Sequence, residues 1–181
     1  VDRLCPGRLT TLFSPQHGIF AEKQDNMVES HHTVDRDLGI PVFSLYGETR
    51  IPTPEMLDPI DLLIIDLLDV GTRVYTFTST LSYCLETAAK LKKRVLVLDR
   101  PNPVGGLQVE GNLLRPELSS FVGRYPIPMR HGLTMGEYAL YINTTFRIHC
   151  VLDVVPMTGW DRRMYFSDTG LPWVLPSPNL P

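Results

Sequence analysis

The chain has 181 residues, 43% apolar and 20% charged, with a net charge of −3 at neutral pH. That is enough chain for one well-buried domain of ordinary globular composition. The charge supplies no general attraction for nucleic acid or an anionic membrane, and no apolar run approaches the length of a membrane span. Cys5, Cys84 and Cys150 are too widely spaced for a zinc module or a disulfide framework, and Cys84 reads as a small apolar core residue. There is no signal-peptide pattern, and a chain that starts at Val1 reads as a fragment.

Leu9 to Phe13 predicts a first strand, ending in the turn-forming Ser14-Pro15-Gln16-His17-Gly18. Residues 21 to 39 are polar and aperiodic, which predicts a long loop. Pro41 to Gly47 predicts a short second strand, and Pro52, Pro54 and Pro59 punctuate a turn and a brief helix around Glu55 to Leu57. Ile60 to Asp66 and Arg94 to Asp99 are apolar runs too short for a helix and without alternation. Each therefore predicts a strand buried on both faces and ending in an aspartate.

Between these two runs Thr78 to Lys92 predicts a helix, with Phe77, Leu81, Cys84, Leu85, Ala88 and Leu91 on one face. Lys90, Lys92 and Lys93 at its end suit the helix dipole. Strand, helix and strand make a βαβ unit with parallel strands. Thr134-Met135-Gly136-Glu137 is a capping-box pattern opening a second helix, and Cys150 to Val155 predicts another strand. The tail, Gly170 to Pro181, carries four prolines and predicts an extended crossing segment. The fold reading is α/β: a Rossmann-like, mostly parallel sheet with helices on both faces.

In parallel α/β sheets ligands bind beyond the carboxyl ends of strands. Polar clusters fall just after predicted strands: Gln16-His17, Asp66 with Asp69, Asp99-Arg100 with Asn102, and Arg130-His131. Converging there, carboxylates, histidines and arginines suit acid–base chemistry on a polar substrate. Glycoside hydrolysis needs a proton donor and a second carboxylate, and arginines hold anionic groups by bidentate hydrogen bonds.

Plainer roles stand beside these. Asp66 equally suits a turn cap, Asp99-Arg100 reads first as a structural ion pair, and His131 before Gly132 suits a turn. His31-His32 lies in a polar loop without matched cysteine or acidic spacing, so no metal is assigned. Asp168-Thr169-Gly170 reads as a turn. No G-x-G-x-x-G follows the first strand and no G-x-x-x-x-G-K-[ST] occurs, so no nucleotide or other cofactor is expected. Nor is there a G-x-S-x-G elbow.

Several segments in order resemble one family. They are Leu12-Phe13-Ser14-Pro15-Gln16-His17-Gly18, Ser44-Leu45-Tyr46-Gly47, Asp69-Val70-Gly71-Thr72-Arg73-Val74-Tyr75-Thr76 and Leu98-Asp99-Arg100-Pro101-Asn102-Pro103. Ser120-Phe121-Val122-Gly123, Arg130-His131-Gly132-Leu133-Thr134 and Pro176-Ser177-Pro178-Asn179 continue the series. Together they resemble the exo-β-N-acetylmuramidases of peptidoglycan recycling. That resemblance implies a Rossmann-like N-terminal domain and a smaller C-terminal domain, with the active site in the cleft between them. It implies a glycoside hydrolase that releases N-acetylmuramic acid from the non-reducing end of peptidoglycan fragments, acting at the cell envelope on muramyl sugars. Residues 1–181 would be the N-terminal domain, short of the family's first strand and of its C-terminal domain.

The chain departs from the family pattern at two places. Gln16 stands where family members often carry a glutamate, the leading candidate for the catalytic acid, and Leu68 stands where a glutamine is common. An amide cannot donate and recover a proton as a carboxyl group does. Three readings follow. Asp66, Asp69 or Glu22 serves as acid while Gln16 orients substrate, with His17 positioning the sugar or tuning the acid. A related sugar is cut by a modified route, using the substrate's own acetamido group. Or the domain is catalytically impaired and binds muramyl sugar without cutting it. The resemblance also marks Arg73, Tyr75, Arg100, Asn102, Arg130 and His131 as substrate-binding candidates, with Arg73, Arg100 or Arg130 reading the lactyl carboxylate.

Overall fold

A computed structural model describes residues 1–19 and 28–177, so Glu22 lies outside the described residues. Two three-stranded sheets organise the described residues. In the first, β1 (Leu12–Ser14) pairs in parallel with β3 (Pro41–Ser44), and β2 (Thr33–Val34) adds to β3 in antiparallel fashion. In the second, β4 (Leu62–Ile65), β5 (Arg94–Leu98) and β6 (Val151–Val155) are parallel in sequence order. The carboxyl ends of β4, β5 and β6 therefore share one edge.

The α/β architecture and the strand and helix positions agree with the sequence reading, with ends shifted by up to three residues: the first strand starts at Leu12, not Leu9, and the second ends at Ser44, not Gly47. One strand was not foreseen. Thr33-Val34 falls inside the expected long loop, too short and polar to announce a strand. The Asp35 carboxylate makes it possible by accepting from the backbone N–H of Asp37 (3.0 Å) and Leu38 (2.9 Å), which turns the chain into β3. His32 is used here too: its Nδ1 accepts the Ser44 N–H at 3.0 Å, and its ring meets Phe43 edge-on.

Three helices pack on the sheets: α1 (Pro54–Leu57), α2 (Thr76–Lys90) and α3 (Met135–Thr145). Leu81, Cys84, Leu85 and Ala88 of α2 meet Tyr138, Ala139 and Ile142 of α3 over Leu63, Ile65, Val95 and Val97 of the second sheet, with Leu45, Met56 and Leu57 closing the same core. Each aliphatic side chain so buried contributes about 1.5–3 kcal/mol before conformational entropy is counted. Burial in this core pushes the Cys84 thiol up to about 12 and, in the same way, Cys150 up to about 11, so both behave as packing residues.

Burial of β4 corrects the expectation of strands covered on both faces. Leu63 and Ile65 are buried, but Leu62 and Ile64 are each 39% exposed. The pleat sends alternate side chains to opposite faces, and α2 and α3 cover only one of them.

The first half of α2 is buried nearly all round, although it reads Thr76-Phe77-Thr78-Ser79-Thr80. Its hydroxyls bond back to the helix: Thr78 to the Tyr75 carbonyl (3.0 Å), Thr80 to Thr76 (3.3 Å) and Ser82 to Ser79 (2.7 Å). The predicted capping box opens α3. Thr134 accepts the Glu137 N–H at 3.2 Å, and Glu137 accepts the Thr134 N–H at 3.0 Å. Asp99 reinforces that end, one carboxylate oxygen taking the Thr134 hydroxyl (3.0 Å) and the other the Gly136 N–H (2.7 Å). A Cβ at Gly136 would lie 2.9 Å from the Asp99 carboxyl carbon, so glycine is required for this approach. No described helix is long and apolar enough to cross a membrane.

Candidate active site

The loop after β4, residues 66 to 75, is the hub of the carboxyl edge. Asp66, at the strand end, is held by Arg100 from the loop after β5 in a bidentate pair, both contacts 2.7 Å. The carboxylate keeps the Arg100 guanidinium still more firmly protonated than usual. Arg100 therefore pairs with Asp66 and not with its neighbour. Asp99, expected to form that ion pair, instead accepts the Arg100 backbone N–H at 3.0 Å and anchors α3. Both partners of the Asp66–Arg100 pair stay roughly half exposed, at 45% and 47%.

Three residues on, Asp69 is buried. Its Oδ2 accepts the Gly71 N–H at 3.0 Å and lies 3.1 Å from His131 Nε2, while its Oδ1 has no partner among the described residues. His131 Nδ1 accepts the Leu133 N–H at 3.1 Å, which places the ring proton on Nε2, facing the aspartate. The Nε2 contact is off the hydrogen-bond direction, so the two groups are packed together without a hydrogen bond between them. Two buried polar atoms thus stand side by side with hydrogen-bonding capacity left over. Tyr138 packs against His131, its ring centroid 6.3 Å away.

Backbone geometry keeps this loop tight. Gly71 adopts φ +81°, and a Cβ there would collide with Val104 at 2.3 Å and Asn102 Oδ1 at 2.5 Å. Asn102 is fully buried, donating to the Leu133 carbonyl (2.8 Å) and accepting the Val104 N–H (3.1 Å). It therefore ties the β5 loop to the His131 segment.

Of the other arginines, Arg73 is buried and donates to the Asn112 (2.8 Å) and Ile127 (2.7 Å) carbonyls. Arg130 pairs with Glu110 at 2.8 Å and donates to the Val104 carbonyl. Tyr75 caps the start of α2 and donates its hydroxyl to the Pro176 carbonyl at 3.0 Å. Burial, with the Asp69 charge in support, raises its hydroxyl pKa above the ordinary tyrosine range.

The β1 loop joins from the other sheet. Gln16 Oε1 accepts the Thr76 hydroxyl at 2.8 Å, at the first turn of α2. His17 is buried with φ 77°, a conformation costly for a residue other than glycine and a recurrent mark of functional loops. The structure therefore gathers the strand-end clusters into a linked set: Gln16 with Thr76, Asp66 with Arg100, Asp69 with His131, and Asn102 beside Gly71. Sequence reading passed over Thr76, although it ends a motif already singled out. It also passed over Tyr138, which looks like any other apolar position on α3.

With that geometry in view, residues 2–181 match the family described as Exo-beta-N-acetylmuramidase NamZ, N-terminal. The chain belongs to that family. It is 51% identical over 175 residues to the Peptidoglycan beta-N-acetylmuramidase NamZ of Bacillus subtilis (strain 168), spanning 96% of this chain and 42% of that protein. Two crystal structures of DUF1343 family proteins from Bacteroides fragilis NCTC 9343 share the fold. One has a TM-score of 0.84 at 45% identity, covering 94% of this chain and 43% of that one. The other has a TM-score of 0.72 at 32% identity, covering 87% and 41%. The chain thus spans less than half the length of the relatives it matches in this NamZ N-terminal family.

Proposed function

We propose that this chain is the N-terminal part of a peptidoglycan glycosidase that releases N-acetylmuramic acid from the non-reducing end of muramyl saccharides. The 51% identity to the Bacillus subtilis enzyme carries this reading. The linked polar edge around residues 66 to 76 supplies chemistry that suits it. The second wall of the cleft belongs to sequence that the relatives possess beyond the stretch matched here.

Within this reading Asp69 and His131 hold and move the proton, and Gln16 orients the sugar. Both Asp66 oxygens are taken by Arg100, whereas Asp69 retains an unengaged oxygen beside an imidazole. Arg100 reads the lactyl carboxylate. Arg73 is spent on two main-chain carbonyls and Arg130 on Glu110, but Arg100 is half exposed and uses only Nε and Nη2 on Asp66. The full-length protein incubated with N-acetylmuramyl-N-acetylglucosamine should release free N-acetylmuramic acid, and intact disaccharide after prolonged incubation would overturn the assignment.

One observation favours a second reading, in which the domain binds muramyl sugar but no longer cuts it. Gln16 replaces the usual glutamate, and its amide oxygen is already engaged by Thr76. The Gln16→Glu variant separates the two: a large gain in rate from a near-silent parent supports impairment, and little change from an active parent supports the Asp69 route.

A further inference from the structure

The tail after β6 returns across the carboxyl edge and is held there at three points. Arg162 reaches Glu137 and donates to the carbonyls of Gly132 (2.9 Å) and Gly106 (3.2 Å). The Phe166 N–H donates to the Pro103 carbonyl at 3.0 Å, beside Asn102. The Tyr75 hydroxyl then takes the Pro176 carbonyl.

Between the last two anchors the chain folds back on itself. A 3-10 turn over Phe166–Thr169 is closed by the Asp168 carboxylate on the Tyr165 N–H (2.8 Å) and by the Thr169 hydroxyl on the Phe166 carbonyl (2.6 Å). Gly170 then reverses the direction at φ 68°. The result sets the Trp173 ring against Phe166, centroids 4.9 Å apart and planes at 71°. Trp173 nevertheless remains 40% exposed; next to Phe166 in the chain, the Tyr165 hydroxyl bonds to Gln108 at 3.3 Å and also engages Arg130.

We propose that the Trp173 ring, braced edge-to-face by Phe166, is a stacking platform for a second, uncharged pyranose ring, the one next to the sugar being released; this rests on the saccharide reading above. The face of an aromatic ring is electronegative, and the axial C–H bonds of a pyranose present the matching positive face, while flanking polar side chains take its hydroxyls. The turn that builds the pair is ordered by its own hydrogen bonds, so little conformational entropy is lost on binding. Three residues of chain put Trp173 at most about 10 Å from Pro176, which the Tyr75 hydroxyl ties to the end of the 66–75 loop that carries Asp69. The platform therefore meets the neighbouring sugar unit and not the bond being cut.

The test is calorimetric titration of the full-length protein, in an Asp69→Asn background that suppresses turnover, with N-acetylmuramyl-N-acetylglucosamine and with methyl β-N-acetylmuramide, which lacks the second ring. Trp173→Ala should weaken disaccharide binding by about tenfold and methyl glycoside binding by less than about twofold, and Trp173→Phe should recover most of the loss. Far-ultraviolet dichroism and a thermal midpoint check that each variant is folded. Equal weakening for both ligands, or parental affinity for the disaccharide, would overturn the platform while leaving the saccharide reading intact. A loss of thermal stability with unchanged disaccharide affinity would make Trp173 a packing residue for the rest of the protein, and would equally overturn it. A wild-type protein that binds neither ligand removes both proposals.

Discussion

Two regions of this molecule set a carboxylate beside a basic side chain and close to a tyrosine, and they do so to different ends. On the flank of α2, Glu86 accepts from Arg124 and from the Tyr125 hydroxyl, each at 2.7 Å. The Arg124 guanidinium lies 3.6 Å from the Tyr83 ring centroid, so the nitrogens that lack a hydrogen-bond partner face aromatic electrons. That cluster pins the long excursion after β5 against α2. At the carboxyl edge, Asp69 lies beside His131 and its charge is felt at the Tyr75 hydroxyl, but one of its oxygens and the His131 Nε2 are left with capacity to spare. The Glu86 cluster closes on itself, whereas the Asp69 cluster at the carboxyl edge of the sheet keeps a group in reserve.

The comparison breaks most readily at Asp69. Asp69→Asn in the full-length protein should lower kcat/KM by about 10²- to 10⁴-fold with the fold retained, whereas Glu86→Gln should leave kcat/KM within about twofold. Similar losses in both variants, measured by release of N-acetylmuramic acid, would dissolve the distinction. Stability should show the reverse. Glu86→Leu removes the shared acceptor of Arg124 and Tyr125 and is expected to cost about 1–3 kcal/mol in urea unfolding, more than Asp69→Asn, whose amide oxygen can still accept the Gly71 N–H.

The two tyrosines sharpen the contrast in alkali. Burial raises both, Tyr75 with help from the Asp69 charge and Tyr125 with help from its Glu86 hydrogen bond. Because each folded value lies above the unfolded one, near 10, their contribution to stability is complete below about pH 10 and is lost as pH rises toward the folded values. Tyrosinate absorbance should therefore appear late in the folded protein, and Glu86→Gln should advance one tyrosine only partway, since burial remains the larger cause. Smallest of all, Asp66→Asn breaks an exposed pair and should change stability by less than about 1 kcal/mol. It also frees Arg100, so affinity for the lactyl carboxylate should rise or hold. A marked fall would instead place Asp66 itself on the sugar.

Thiol chemistry offers an independent check on the core. Cys5 is exposed, while Cys84 and Cys150 are buried with raised pKa values. One thiol of this domain should react quickly with a disulfide reagent at neutral pH and two should react only on unfolding.

What was legible in the sequence follows from local rules. Apolar runs, the Thr134-Met135-Gly136-Glu137 cap and the spacing of Leu81, Cys84, Leu85 and Ala88 depend on neighbours a few residues away, and they placed β4, α2, β5, α3 and β6. Ordered motifs such as Ser14-Pro15-Gln16-His17-Gly18 pointed to the family, which the match over residues 2–181 and the relatives bear out. Pairing across the fold was not legible. Sequence put Arg100 with adjacent Asp99, but an aspartate one strand away has the better bidentate geometry, and Asp99 is drawn off by the N–H groups opening α3. Composition could not tell that β4 is covered on one face only, because Leu62 and Leu63 are identical in type and only the placement of α2 and α3 separates them. Sequence by itself determined the main elements other than β2, the shared carboxyl edge of the parallel strands and the family. Tertiary structure alone decided which acid is tied to an arginine and which is buried beside a histidine, since contacts between residues 34 or more positions apart depend on how the strands are laid side by side.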